Sequence, residues 1–177
     1  YFLKFLEFLK IYSYSDPYFN TLTNDKYYQG LNSIIDKKNG LYLEVGGLDG
    51  YFESPTYILS SKHGWKGLLI EPNEKLGKYI NYYRPRDEVV ISACSSFDIS
   101  KKQKTVNFIP LYHSGEIYES LELLSEWTRK KIIEESINII KVPVDSISNI
   151  IKKSELLQNA IIDLIKIDVE GHEENVL

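Results

Sequence analysis

Apolar residues fall along the chain in blocks of two kinds. LYLEV at 41–45, LLIE at 68–71, EVVISA at 88–93 and IIDLIKID at 161–168 are short and apolar on both faces, as strands buried within a parallel sheet are. Between the first three lie helical segments. One starts at Ser54-Pro55, with Ser as N-cap and Pro at the first helical position, and runs to about His63; the other spans 73–83. Strand–helix–strand–helix–strand order predicts a parallel sheet with right-handed crossovers. Further strands are expected at Thr105–Ile109 and Ile139–Val144, helices over Ser120–Glu135 and Ser146–Leu157, and a helix start near Gly171.

Residues 1–12, YFLKFLEFLKIY, are apolar except for Lys4, Glu7 and Lys10, whose spacing gives a helix one polar stripe. Twelve residues are too few for a bilayer, which takes about 20; a helix packed on its own domain is the preferred reading over a juxtamembrane piece. The turn-rich stretch Ser13–Asp25 follows, then a short helix over 26–38 that Asn39-Gly40 stops. The expected organisation is an N-terminal helix and linker at 1–25 and a domain at 26–177. The chain begins at Tyr1, contains no Met and ends at Leu177 without a helix stop, so it reads as open at both ends.

The 177 residues carry 21 Lys+Arg against 25 Asp+Glu, with a pI near 5.5, which argues against a nucleic-acid footprint. Hydrophobic residues at 43% and aromatics at 13% supply a core and exclude a disordered chain. The single cysteine allows neither an internal disulfide nor a cysteine-based zinc site, and mildly favours a reducing, cytoplasmic setting.

The candidate chemistry begins at LYLEVGGLDGYFE. A dinucleotide fold asks for Gly-x-Gly-x-x-Gly, and from Gly46 the required glycines are instead Leu48 and Tyr51. The spacing Glu44-x-Gly46-x-x-x-Gly50 suits a nucleoside with an amino-acid tail, such as S-adenosylmethionine, better than a pyrophosphate. Glu71 lies 21 residues after Gly50, at the end of the next strand, where an acid can accept both ribose hydroxyls. Asp168 ends the apolar strand 161–168 on the same sheet edge, and Glu170, His172, Glu173 and Glu174 follow within six residues. The dipole of a helix N-terminus explains Glu173 and Glu174. It does not explain Asp168, which is read as functional, with Glu170 and His172 evenly balanced between site and helix start.

In order, LYLEVGGLDG, Ser54-Pro55-Thr56, GWKGLLIEP, ISACSS, VPVDSI and IDLIKIDVEGHE resemble the FkbM-type methyltransferase family, from about Asn24 to Leu177. The resemblance implies an α/β fold: a Rossmann-like class I methyltransferase sheet, mostly parallel and three-layered, truncated at its C-terminal end. It also implies an S-adenosylmethionine-dependent O-methyltransferase acting on a hydroxyl of a sugar or small metabolite. By position, Glu44, Gly46, Gly47, Asp49 and Gly50 would line the methionine end of the cofactor, with Ser54 and Thr56 nearby. Glu71 would hold the ribose, and Ala93, Cys94 and Ser95 would flank the adenine. Asp168 would be the general base, with Glu170 or His172 as substitutes. Gly47 stands where relatives usually have Ala, and Pro55 where many have Asn.

A divalent metal shared by Asp168, Glu170 and His172 is a lesser alternative. The acceptor is expected to be a small molecule or glycan, not a nucleic acid or a membrane. The rival function is a catalytically inactive methyltransferase fold serving as an interaction module in a larger multidomain protein. A nicotinamide enzyme is disfavoured by Leu48 and Tyr51, and a nucleic-acid methyltransferase by the acidic balance. His63, His113 and the Arg84-Pro85-Arg86 loop are expected at the solvated surface, Cys94 as an inert buried thiol, and Trp65 beneath the turn before the second strand.

Overall fold

A computed structural model describes residues 37–52, 54–110, 115–118, 126–170 and 172–177. The helix expected over 1–12, the linker and most of the helix over 26–38 lie outside these residues, as does His113; Lys37 and Lys38 are described and are not helical. One compact unit spans Asn39–Leu177.

In chain order its elements are β1 (Leu41–Val45), α1 (Thr56–His63), β2 (Lys66–Ile70), α2 (Glu74–Tyr83), β3 (Glu88–Val90), β4 (Ala93–Cys94), α3 (Phe97–Lys102), β5 (Thr105–Pro110), β6 (Gly115–Tyr118), α4 (Glu126–Glu134), β7 (Ile140–Asp145), α5 (Ile147–Lys153), β8 (Leu164–Ile167) and α6 (Glu173–Val176). A wholly parallel sheet runs in the order β3-β2-β1-β8, with Val45 opposite both Ile70 and Ile167. The expected Rossmann-like parallel sheet is therefore present. A second, mixed sheet runs β4-β7-β5-β6. No helix among the described residues is long and apolar enough to cross a membrane.

Both faces of β1 and β2 are covered, which is why their sequences do not alternate. Leu43, Val45, Leu68 and Ile70 form one core with Cys94, Ile150, Leu157 and Val176. Tyr42 and Glu44 point to the opposite face, since successive side chains alternate. Trp65 is buried, as expected, and a Cβ on Gly40 would lie 2.7 Å from its ring.

Several boundaries differ from expectation for identifiable reasons. The strand foreseen at Glu88–Ala93 is two strands: Glu88–Val90 pairs with β2, whereas Ala93–Cys94 pairs with β7 in the other sheet. Ile91 and Ser92 carry the chain across, and the Ser92 hydroxyl donates to the carbonyls of Ala93 (2.8 Å) and Pro143 (3.3 Å). The last strand starts at Leu164, because the Asp163 carboxylate accepts the Leu41 amide at 2.9 Å and ends the apolar run as a strand. Helix α1 begins at Thr56 with Pro55 as its N-cap residue; Ser54 is not the cap, because its hydroxyl is used elsewhere. Helix α5 ends at Lys153, where Ser154 turns its hydroxyl to Glu88. Strand β6 was not foreseen, and of the helix expected over Ser120–Glu135 the described part is Glu126–Glu134.

Candidate active site at the strand ends

Because β1, β2 and β8 are parallel and in register, their C-terminal ends stop side by side. Gly46, Glu71 and Asp168 are the next residues of each. The Gly46 amide donates to the Ile70 carbonyl and the Asp168 amide to the Val45 carbonyl, both at 3.0 Å. Gly46 has φ +80, and a Cβ there would lie 1.9 Å from the Asp168 carbonyl oxygen. Glycine is needed at 46 by backbone conformation and by the approach of the neighbouring strand. Gly46→Ala should therefore cost about 2–5 kcal/mol of folding stability, from left-handed strain plus overpacking. Urea denaturation measures this, and a loss below about 1 kcal/mol would show that the strand ends can part freely.

The loop is fastened by its own side chains. Asp49 Oδ1 accepts the amides of Tyr51 (2.9 Å) and Phe52 (2.7 Å), and burial raises its pKa. Glu71 accepts the amide of Leu48 on Oε2 (3.0 Å) and that of Asn73 on Oε1 (2.8 Å). Burial pushes Glu71 up to about 7; the two amides and the Lys166 ammonium pull the other way.

Beneath the loop lies a buried ionic cluster that the sequence did not foreshadow. Glu44 is fully buried and its Oε2 accepts from the hydroxyls of Ser54 (2.9 Å) and Thr56. Arg84, expected in a solvated loop, is only 1% exposed. Its Nη2 donates to Tyr42 Oη (2.9 Å) and Thr56 Oγ1 (2.5 Å) and sits 3.6 Å from Glu44 Oε2, while Nε donates to Asp87 Oδ2 at 3.0 Å. Asp87 also takes the Gly67 amide, and burial raises the pKa of the Tyr42 phenol.

Asp168 projects at the mouth, its side chain 59% exposed, with Oδ2 3.3 Å from Lys166 Nζ. Glu170 follows in a left-handed conformation, φ 54. His172 turns its Nε2 to the buried Ser95 hydroxyl at 3.0 Å, and Nδ1 lies 3.4 Å from the Asn175 amide nitrogen. Glu173 accepts the Val169 amide, which accounts for that acid as a helix-start residue. Among the described residues no three of His, Cys, Asp and Glu are grouped to hold a metal ion.

Together these ends wall an open cleft. Gly46, Gly47 and Leu48 form one side and Glu71, Pro72 and Leu76 another. Ser92, Ala93, Cys94 and Phe108 come from the second sheet and its junction, and Lys166, Asp168 and Glu170 from the last strand and its loop. A family model for the methyltransferase FkbM domain matches residues 44–177. The chain belongs to the FkbM methyltransferase family. No curated protein and no solved structure gives a match.

Within this FkbM domain the residues singled out from sequence divide into two groups. Gly46, Gly47, Glu71, Cys94, Asp168 and Glu170 line the cleft. Glu44, Ser54 and Thr56 are held in the ionic cluster under it, Asp49 and Gly50 shape the loop from behind, and Ser95 faces His172. Cys94 is raised to about 12 by burial, with the Asp145 charge adding to it, and so is an inert wall. Lys166 and Arg84 were missed. Lys166 carried a signal: it is a lone cation in an apolar strand, two residues before Asp168 and hence on the same face. Arg84-Pro85-Arg86 carried none.

Proposed function

We propose that this FkbM domain transfers a methyl group from S-adenosylmethionine to a hydroxyl oxygen of a sugar, glycan or small metabolite. The observation that carries the reading is the convergence of Gly46, Glu71 and Asp168 on one cleft at the carboxyl ends of parallel strands, where open α/β sheets bind ligands.

The donor set suits such a cofactor. An ionised carboxylate offers about four acceptor positions; Glu71 gives two to backbone amides and keeps capacity for a ribose diol. Gly46, Gly47 and Leu48 would hold the amino-acid tail with backbone groups, and Ala93, Cys94 and Phe108 supply an apolar wall for the base. When bound, the cofactor supplies an electrophilic methyl group. The chain supplies orientation, water exclusion by Val45, Ile70 and Phe108, and a base. An alcohol is a weak nucleophile near neutrality, and Asp168 at the mouth takes the acceptor's hydroxyl proton onto a carboxylate oxygen. Glu170, exposed beside it, is the substitute base; His172 has its Nε2 engaged with Ser95 and steadies the loop.

Calorimetry with S-adenosylmethionine and its demethylated product tests the reading. Glu71→Ala removes a charged hydrogen bond of about 1.5–3 kcal/mol, so affinity should fall roughly ten- to a hundredfold. The carboxylate form accepts both hydroxyls, so wild-type affinity should rise from pH 6 to 8 around a midpoint near 7 and level off above it. Folding stability runs the other way: the buried acid is most stabilising as a neutral group below its ordinary pKa, and that contribution is lost as pH rises through 7. An affinity that ignores both the substitution and pH places the ribose elsewhere. Tight cofactor binding with no hydroxyl acceptor turned over would favour the inactive interaction module.

A further inference from the structure

Lys166 is the least expected residue of the cleft. It sits in the middle of β8, opposite Glu44 in the ladder, with its side chain only 13% exposed. Its Nζ reaches three oxygens on separate groups: Gly46 carbonyl at 3.1 Å, Glu44 Oε1 at 3.4 Å and Asp168 Oδ2 at 3.3 Å. The first belongs to the glycine loop, the second to the buried cluster, the third to the candidate base. The Gly46 carbonyl accepts a hydrogen bond from the ammonium, and the two carboxylate oxygens are its ion-pair neighbours.

The other charges around this point are almost all negative. Glu71 at the end of β2 feels the Lys166 charge, and Asp49 acts on Glu71 from the loop. Glu170 lines the same cleft, and the Arg84 cation lies on the far side of Glu44, 3.6 Å from Oε2. Glu44 Oε1, on the Lys166 side, is buried and has no hydrogen-bond partner of good geometry. The Lys166 ammonium is the charge that faces it. A lysine tethered in this way loses the swing of its long side chain, so it can orient what it touches.

We propose that Lys166 is a positioning residue: anchored on the buried Glu44 and the Gly46 carbonyl, its ammonium holds the Asp168 carboxylate in one orientation at the cleft mouth. This rests on the reading of Asp168 as the base. Lys166 does not itself exchange a proton with the acceptor; it determines where the Asp168 oxygens stand when the acceptor hydroxyl arrives.

The test has one arm that needs no turnover. In ligand-free protein, three-bond couplings across the Asp168 side chain should report a single χ1 rotamer in wild type and an average in Lys166→Met, with Lys166→Arg close to wild type. Turnover of Lys166→Met should fall about ten- to a hundredfold, the range that misplacing a reacting group commonly costs, while KM for the cofactor moves less than threefold. Removing the cation also leaves Glu44 with one fewer counter-charge, so the Glu44→Gln/Lys166→Met pair separates a structural role from a positioning one. Thermal stability should recover in the pair, whereas the rotamer averaging and the turnover defect should persist. Recovery of both in the pair, or an unchanged single rotamer in Lys166→Met, overturns the proposal. An ordered Asp168 that depends on Lys166 in a protein that methylates nothing would instead leave the orientation standing and remove the enzymatic reading. Should Lys166→Met not fold, wild type alone decides: a nuclear Overhauser contact must connect the Lys166 ε-methylene to the Asp168 β-protons, and its absence refutes the tether.

Discussion

Asp168→Asn is expected to lower the methylation rate by about 10²–10⁴-fold, the usual contribution of a general base, while cofactor affinity stays within a few fold of wild type. The amide keeps the shape of the carboxylate, and the Asp168 backbone amide still donates to Val45, so the strand end and its contact with Gly46 are preserved. What is lost is an oxygen able to accept the hydroxyl proton. Asp168 is suited to that task because its side chain is largely exposed at the mouth, whereas Glu44 in β1 and Glu71 just after β2 are buried. An Asn variant with the wild-type rate assigns Asp168 to structure and passes the role to Glu170.

The second large effect concerns folding. Arg84→Met should destabilise the domain by about 3–5 kcal/mol, the cost of breaking a buried ion pair from one side, and lower its melting temperature on the order of 10 °C. The guanidinium lies between the Asp87 and Glu44 carboxylates, both with side chains fully excluded from solvent. Methionine fills much of its volume but leaves Asp87 without a cation and Glu44 with Lys166 alone. Denaturant unfolding with unchanged m-value would register the loss, and a variant within about 1 kcal/mol of wild type would mean that the two acids do not depend on the guanidinium. Cofactor affinity should change far less than stability, because none of these side chains lines the cleft.

What could be read from the sequence follows a physical divide. Parallel strands buried on both faces produce unbroken apolar runs, so β1 and β2 were legible to within two residues. The acids that end strands stood out because a charge after an apolar run needs a reason; Glu71 and Asp168 were found that way. The break between β3 and β4 left no trace, since EVVISA is equally apolar whether it stays in one sheet or crosses to another. Arg84 was illegible for the complementary reason. Its burial depends on Tyr42, Thr56 and Asp87, which meet only after β1, α1 and α2 have packed, and an Arg-Pro-Arg sequence looks like any exposed turn. Ser54 and Thr56 were placed near the cofactor by the family resemblance alone. Their hydroxyls bond to the buried Glu44, a contact that no spacing in the sequence marked.

The two-residue crossing at Ile91-Ser92 also matters for anyone who would change what this domain accepts. The cleft has the glycine loop and Glu71 on one sheet and Ala93, Cys94 and Phe108 on the other; the chain passes to the second sheet through this short joint and returns from β7 to β8 by the longer path through α5. Side-chain substitutions at Phe108 or Leu76 would recontour the walls but leave their separation untouched. Lengthening the joint by one residue loosens the shorter of these two links, so libraries that vary loop length at 91–92 should reach bulkier acceptors that point substitutions alone do not.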